Sequence, residues 1–159
     1  MKFRVLTFSA LLAWVAWVAC AAAEPFVALD RVQARALTDP AAHATPTIVA
    51  LWSTDCPHCK QNLELFADLA KSDARLRLIT VATEPLSAGH AAPLDRLGVP
   101  GRRHAYGTDA PEAIAHALDP KWRGELPRTL FFDGHGKRVA ISGAVDRATV
   151  RKSLGLATE

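Results

Sequence analysis

Apolar and amphipathic blocks alternate along most of this chain. Residues 47–53 are almost wholly apolar and rich in β-branched side chains, which predicts a buried strand. Residues 75–83 predict a second strand, whose alternating start becomes the continuous apolar run of an interior strand. Between them, a helix is predicted by apolar residues that recur at three- and four-residue spacing: Leu63, Phe66, Ala67 and Ala70. The order strand, helix, strand favours parallel pairing of the two strands.

The rest of the chain predicts shorter elements around this unit. Helices are expected at residues 28–37, 87–97, 110–118 and, capped by Asp146, up to about residue 154; a short strand is expected at residues 104–106. Residues 128–133 and 137–142 predict two strands that the turn Gly134-His135-Gly136 joins as a hairpin. A hairpin requires antiparallel pairing, whereas alternating strands and helices favour parallel pairing. The expected fold class is therefore α/β, with a mixed central sheet and helices on both faces.

The N-terminus has a different pattern. Lys2 and Arg4 precede an apolar stretch over residues 5–19, and the small residues Ala21-Ala22-Ala23 follow it. A basic start, an apolar middle and a small-residue end are typical of a secretory signal peptide, with cleavage expected after Ala23. The sequence therefore predicts export, with the periplasm as the expected compartment.

Two other interpretations of this segment stay open. The apolar stretch approaches the roughly 20 residues that span a bilayer, so it can instead remain as an anchor in the inner membrane. Cys20 can be lipidated, although Trp17 stands where a lipidation signal has an aliphatic residue. The expected organisation is a signal peptide or anchor at residues 1–23, a lead-in segment at 24–46 and one domain at 47–159.

Charge excludes one large class of partner. The chain has 19 basic and 16 acidic residues, and two of the basic ones lie in the predicted leader. The remaining chain is nearly neutral, which gives no support for nucleic-acid binding. Its length suits one compact domain with its own core, and we expect a monomer.

Two cysteines carry the candidate chemistry. Cys56 and Cys59 are the only cysteines outside the predicted leader, and they lie between the first strand and its helix. A CxxC at such a junction is typical of a reversible dithiol/disulfide switch. Pro57 suits the first turn of the helix. We expect Cys56 to be the nucleophile, because a helix N-terminus favours its thiolate, and Cys59 to be the more buried resolving thiol.

Three features together resemble a known family. Trp52 stands four residues before the first cysteine, the motif itself reads CPHC, and residues 125–134 read ELPRTLFFDG. The chain resembles the thioredoxin superfamily over residues 47–154, and within it the TlpA/ResA-like exported thiol:disulfide oxidoreductases. The resemblance implies a three-layer thioredoxin-like fold, no cofactor and no resident metal. It also implies protein substrates with cysteines or disulfides and, for a reductive role, a membrane redox partner.

Further candidate site residues lie near residue 127, and the resemblance assigns Pro127 and Leu126 among them. Pro127 is expected to be cis and to expose the Leu126 backbone beside Cys56, where a substrate strand can pair with it. Trp122 is a candidate surface lip for substrate. Arg128 can contact an acidic substrate or be a solvated charge at the start of a strand. Trp52 is expected to pack beneath the active-site helix.

Three departures from the family leave the direction of exchange undecided. Asp55 stands where many members have Trp, Asn62 where many reductive members have Glu, and Ala50 where ordinary thioredoxins have a buried Asp. Those acidic groups serve proton transfer in reductive relatives. Glu84 can substitute for them or be a solvated loop charge.

His58 and Asp55 have opposite expected effects on the redox poise. His58 can stabilise the Cys56 thiolate and make the disulfide more oxidising, whereas Asp55 raises the thiol pKa. The expected potential lies between about −270 mV and about −120 mV. The remaining histidines are expected to be ordinary surface or partly buried residues: His43, His90, His104, His116 and His135.

A second function from another class is copper delivery. Two thiolates suit Cu(I), and a histidine can supply a third ligand. However, the cysteines are closer in sequence than in the copper-delivery branch of the family, and Met1 is the only methionine.

Overall fold

A computed structural model describes residues 25–156 and shows one mixed sheet between two layers of helices. The strands are β1 Phe26–Leu29, β2 Thr47–Trp52, β3 Arg77–Pro85, β4 Arg102–Tyr106, β5 Arg128–Phe132 and β6 Arg138–Ser142. The helices are α1 Arg31–Leu37, α2 Pro57–Ser72, α3 Ala91–Arg96, α4 Pro111–Leu118 and α5 Arg147–Ser153, with 3-10 turns at Pro40–Ala42 and Ala88–His90. The predicted leader, its anchor alternative and Cys20 lie outside the described residues.

The sheet confirms the predicted fold class. Its strand order is β1-β4-β3-β2-β5-β6. The pairs from β1 to β2 are parallel, whereas β5 pairs antiparallel with both β2 and β6. The helix crossovers account for the parallel pairs, and the hairpin predicted from the sequence accounts for the β5–β6 pair.

The central strand β2 is buried along its whole length and divides the core in two. Ile48, Ala50 and Trp52 face a cluster that includes Leu63 and Phe66 of α2. Val49 and Leu51, which lie between them in β2, face a second cluster that includes side chains of α1 and α4. This alternation follows from the two-residue period of a strand, and it explains the continuous apolar run in the sequence.

The predicted lead-in segment belongs to the sheet. Residues 28–37 were expected to be one helix, but β1 occupies the first part and pairs with β4. The helix begins after Asp30, whose side chain accepts a hydrogen bond from the Gln33 amide in a capping box. The strand partner lies far along the chain, so no local pattern indicates β1.

The predicted helix at 87–97 is divided. A 3-10 turn at Ala88–His90 leads into the short helix α3. Pro93 is tolerated because it lies in the first turn of α3, where a backbone N–H has no partner within the helix. No helix within residues 25–156 has both the length and the apolar character needed to cross a membrane.

The structure confirms the hairpin between β5 and β6 that the glycine-rich turn predicted. Gly134 has a φ of 84°, and a Cβ atom there would lie 2.9 Å from the Thr45 backbone. Glycine is therefore required at this turn for both its conformation and its close approach. The hairpin brings Ser142 opposite Arg128, next to Pro127.

Candidate active site

Cys56 and Cys59 form a disulfide at the N-terminus of α2. Cys56 is the N-cap residue, and its Sγ accepts a hydrogen bond from the Cys59 amide at 3.1 Å. Cys56 is half-buried, whereas Cys59 is 1% exposed. When the bond is reduced, the free amides and dipole of the helix end favour a thiolate at the Cys56 sulfur.

Three neighbours of the disulfide are exposed. Pro57 occupies the first position of α2, as its missing N–H allows. The His58 ring lies on the helix surface, where Nδ1 is 3.2 Å from Gln61 Oε1. Asp55 is also exposed. The structure therefore places the two groups expected to tune the potential beside the cysteines in solvent, and their opposing roles stay predictions.

The Leu126–Pro127 peptide is cis, as the resemblance implies. Pro127 is buried and Leu126 is half-buried. Leu126 packs against both core clusters, and Cys56 packs against the first of them. The segment predicted to bind substrate therefore shares a supporting core with the more accessible cysteine.

Trp122 and Arg128 make contacts within the protein. Trp122 is half-buried, and its Nε1 donates to the Glu125 carbonyl at 2.7 Å. Arg128 is bound to Asp119 by Nε and Nη2, at 3.1 and 2.5 Å, and it donates to Ser142 Oγ at 2.8 Å. A guanidinium so paired is not a solvated strand-start charge, and its contact with an acidic substrate stays a prediction.

Asp119 is a site-supporting residue that the sequence did not indicate. Its side chain is 6% exposed and pairs with Arg138 at 3.2 Å as well as with Arg128. Burial by itself would raise the pKa of this carboxyl. Hydrogen bonds from Arg128 and from the Lys121 amide, with the positive charge of both arginines, outweigh burial and hold the pKa below its usual value. Asp119 is therefore an ionised anchor for the loop that ends at Pro127.

Glu84 holds the loop that precedes Cys56. Its Oε1 accepts from the Thr54 amide at 3.2 Å and from the Thr54 hydroxyl at 2.9 Å. Its Oε2 is 3.1 Å from Nε2 of His90. Glu84 is thus bonded within the protein rather than being a solvated loop charge, and proton transfer by its carboxylate stays a prediction.

His90 is a second residue that sequence reasoning missed. It is 2% exposed, although a surface or partly buried position was expected. Its Nδ1 accepts from the Ser87 amide, so the neutral ring carries its proton on Nε2 and donates it to Glu84. The ring also packs against Trp52 and Phe26. Its position directly before α3 offered no signal of this role.

The other histidines have varied surroundings. His43 is also buried, and its Nε2 lies 2.9 Å from the Leu37 carbonyl, whereas His116 and His135 are exposed. Among residues 25–156, no group of three or more His, Cys, Asp or Glu side chains is arranged to hold a metal ion.

The two positions at which the resemblance led us to expect carboxylates are neutral and buried. Ala50 lies in the middle of β2. Asn62 is 2% exposed in α2, and its side chain bonds to the backbone of residues 143 and 145. Trp52 is fully buried on the same core, as predicted.

No protein-family model matches the chain, and no curated protein matches its sequence. Solved structures are nevertheless similar in fold. A thiol-disulfide isomerase from Corynebacterium glutamicum has a TM-score of 0.58 at 14% identity, over 71% of this chain and 80% of that one. A thioredoxin-family thiol:disulfide interchange protein from Chlorobium tepidum has a TM-score of 0.57 at 17% identity, over 76% and 81%.

A third similar structure is a secreted disulfide oxidoreductase of Mycobacterium tuberculosis, described as homologous to DsbE of E. coli. Its TM-score is 0.55 at 13% identity, over 71% of this chain and 82% of that one. At such identities the similarity shows the fold alone. The chain therefore has a thioredoxin-like fold, which confirms the predicted three-layer architecture.

Proposed function

We propose that this protein is an exported thiol:disulfide oxidoreductase that exchanges its Cys56–Cys59 dithiol or disulfide with cysteines of protein substrates. One observation carries the proposal. A disulfide caps the N-terminus of α2 in a thioredoxin-like fold, with one cysteine half-buried and the other buried. That asymmetry separates an attacking thiol from a resolving thiol.

The exchange proceeds in two thiol–disulfide steps. In the reductive direction, the Cys56 thiolate attacks a substrate disulfide, a Cys56–substrate bond forms, and one substrate thiolate leaves. The Cys59 thiolate then attacks the Cys56 sulfur, which forms the internal disulfide and releases the second substrate thiolate. The substrate gains two electrons and the protein loses two. The same steps in reverse oxidise a substrate dithiol.

The neighbouring residues have supporting roles in this proposal. Helix amides at the start of α2 stabilise the Cys56 thiolate as attacking and leaving group. The Leu126 backbone pairs with an extended substrate segment, Pro127 shapes that surface, and Trp122 borders it. Arg128 positions this loop through Asp119.

The direction of exchange depends on the potential of the Cys56–Cys59 couple. A value near or below about −250 mV favours a reductant, which needs a membrane electron donor, and one well above −200 mV favours an oxidant. Equilibration in glutathione buffers measures it. The predicted leader supports export, and one structure of similar fold is described as secreted.

Trapping tests the proposal. A Cys59→Ser variant lacks the resolving thiol, so it should accumulate mixed disulfides through Cys56, visible by non-reducing electrophoresis and removed by reductant. The Cys56→Ser variant is the matched control and should trap nothing. Failure of the first variant to trap any thiol protein, with no turnover of a model disulfide by the unmodified protein, would overturn the proposal.

A further inference from the structure

Asn62 is a buried side chain whose hydrogen-bonding groups are both used. It lies one turn after Cys59 on α2 and is 2% exposed. Its Nδ2 donates to the Gly143 carbonyl at 3.1 Å, and its Oδ1 accepts from the Val145 amide at 3.1 Å. The amide therefore connects the helix that carries the disulfide to the segment between β6 and α5.

Gly143 extends this connection to Pro127. Its amide donates to the Pro127 carbonyl at 2.8 Å, while its own carbonyl accepts from Asn62. Gly143 has a φ of 93°, in the left-handed region that favours glycine. Two consecutive hydrogen bonds thus join the Asn62 side chain, through one glycine, to the Pro127 carbonyl, next to the Leu126 backbone at which substrate is proposed to bind.

Only an amide satisfies both partners of Asn62. A carboxylate at this position would keep the acceptor for Val145 but would direct negative charge at the Gly143 carbonyl. An isosteric apolar side chain would leave both backbone groups without their partner in a buried place. Asparagine therefore has a geometric role here that neither aspartate nor leucine can reproduce.

We propose that Asn62 is a positioning residue that aligns the Pro127 loop with the Cys56 sulfur and thereby promotes reaction with extended polypeptide substrates. The inference rests on the proposed function and adds a determinant of substrate class. A small disulfide needs only the Cys56 sulfur. A polypeptide must also lie along the Leu126-Pro127 backbone, so it is sensitive to the alignment of the two segments.

Two probes with the same chromophore separate these requirements. One is the small aromatic disulfide 5,5′-dithiobis(2-nitrobenzoate), and the other is an unstructured peptide whose single cysteine is disulfide-bonded to 2-nitro-5-thiobenzoate. Both release the same thiolate on reaction with the reduced protein. For Asn62→Leu, we expect the rate constant to fall about 10-fold for the peptide and to stay within about twofold for the small disulfide.

The matched control is Thr47→Val. Thr47 is also buried, and its hydroxyl donates to the Thr45 carbonyl at the opposite end of β2 from the cysteines. This variant should leave both rate constants unchanged. Asn62→Asp is the second test variant, because it keeps the acceptor for Val145 while losing the donor to Gly143, and the same selective loss is expected.

Amide hydrogen exchange reports on the connection itself. Asn62→Leu should speed exchange of the Val145 amide, whereas Asn62→Asp should protect it. Equal losses with both disulfides, or no loss with the peptide, would overturn the positioning role while leaving the proposed function intact. An unmodified protein that reacts with neither disulfide would instead overturn the proposed function and this inference with it.

Discussion

Two loops contribute to the candidate site, and different interactions hold them. The Cys loop, residues 53–56, is held by Glu84, whose side chain is 32% exposed and which accepts hydrogen bonds from Thr54 and the neutral His90. The Pro loop, residues 119–127, is anchored by the buried Asp119 and two arginines. Removing one member of a buried ion pair leaves an uncompensated charge, whereas water can replace a bond to a partly exposed carboxylate. The Pro loop is therefore the more rigidly specified of the two.

This difference suits the proposed chemistry. The Cys loop carries the atom that changes its bonding in each cycle, and its supports are ordinary hydrogen bonds. The Pro loop carries the proposed substrate surface, and its anchor is a buried carboxylate that pairs with two arginines. Asn62 connects α2, the helix that follows the Cys loop, to the Pro loop through Gly143.

Among the variants that distinguish the two loops, Asp119→Asn should cause the largest loss of stability. It removes the charge that compensates Arg128 and Arg138, and we expect the free energy of unfolding to fall by about 3 kcal/mol. Denaturant unfolding of the oxidised protein measures it. Asp73→Asn is the control, because its partner Arg75 is 75% exposed and such pairs contribute little. Equal changes in the two variants would contradict the contrast between buried and exposed anchors.

The same anchor should give an acid-dependent loss of stability. Because Asp119 has a lower pKa in the folded protein than its usual 3.8, its contribution is fully present above that value. It is lost as the pH falls through the folded pKa, since the folded state then has to bind the proton too. The unfolding midpoint measured from pH 6 to pH 2 should therefore decline less steeply in Asp119→Asn. Parallel profiles would show that Asp119 does not contribute to the acid transition.

His90→Phe should weaken the Cys loop with its packing largely kept. The variant loses the donor to Glu84 and the acceptor for the Ser87 amide. We expect a loss of about 1–2 kcal/mol in unfolding free energy, because each net hydrogen bond contributes about 1 kcal/mol. Denaturant unfolding measures it, with His116→Phe on the exposed face of α4 as the control. A loss as large as that of Asp119→Asn would remove the distinction between the two loops.

Thr54→Val should have the smallest effect on stability. It also tests most directly whether the Cys loop acts differently from the Pro loop. It removes the hydroxyl donor to Glu84 but keeps the backbone donor. We expect a loss of about 0.5–1 kcal/mol. Any change in reactivity should affect the small disulfide and the peptide disulfide alike, because this loop positions Cys56 and not the substrate backbone. A selective loss with the peptide would place Thr54 with Asn62 instead.

Prediction from the sequence succeeded where the signal is local. The apolar run of β2, the proline at the start of α2 and the glycines of the β5–β6 turn each act within a few residues, through burial, dihedral preference or turn geometry. The resemblance supplied the cis Pro127 and the three-layer architecture. It did not indicate β1, because that strand depends on pairing with β4, far along the chain.

The supports of the candidate site could not be predicted in the same way. Glu84 and Thr54 are 30 residues apart in sequence, and Asn62 and Gly143 are 81 apart. A lone histidine, an asparagine in a helix or an arginine at a strand start has the same local pattern whether it is solvated or paired. Its role depends on which groups the folded chain brings within hydrogen-bond distance.

The chain's own pattern thus predicted which residues carry the proposed chemistry: two cysteines at the start of an amphipathic helix after a buried strand. Periodicity and helix-end electrostatics act locally, so they can be recognised without a structure. Tertiary structure alone decided that Glu84 and His90 hold the Cys loop, that Asp119 anchors the Pro loop and that Asn62 connects α2 to the Pro loop through Gly143. Hydrogen bonds and ion pairs are short-ranged in space but unrestricted in sequence, so they exist only once the sheet has brought its distant strands together.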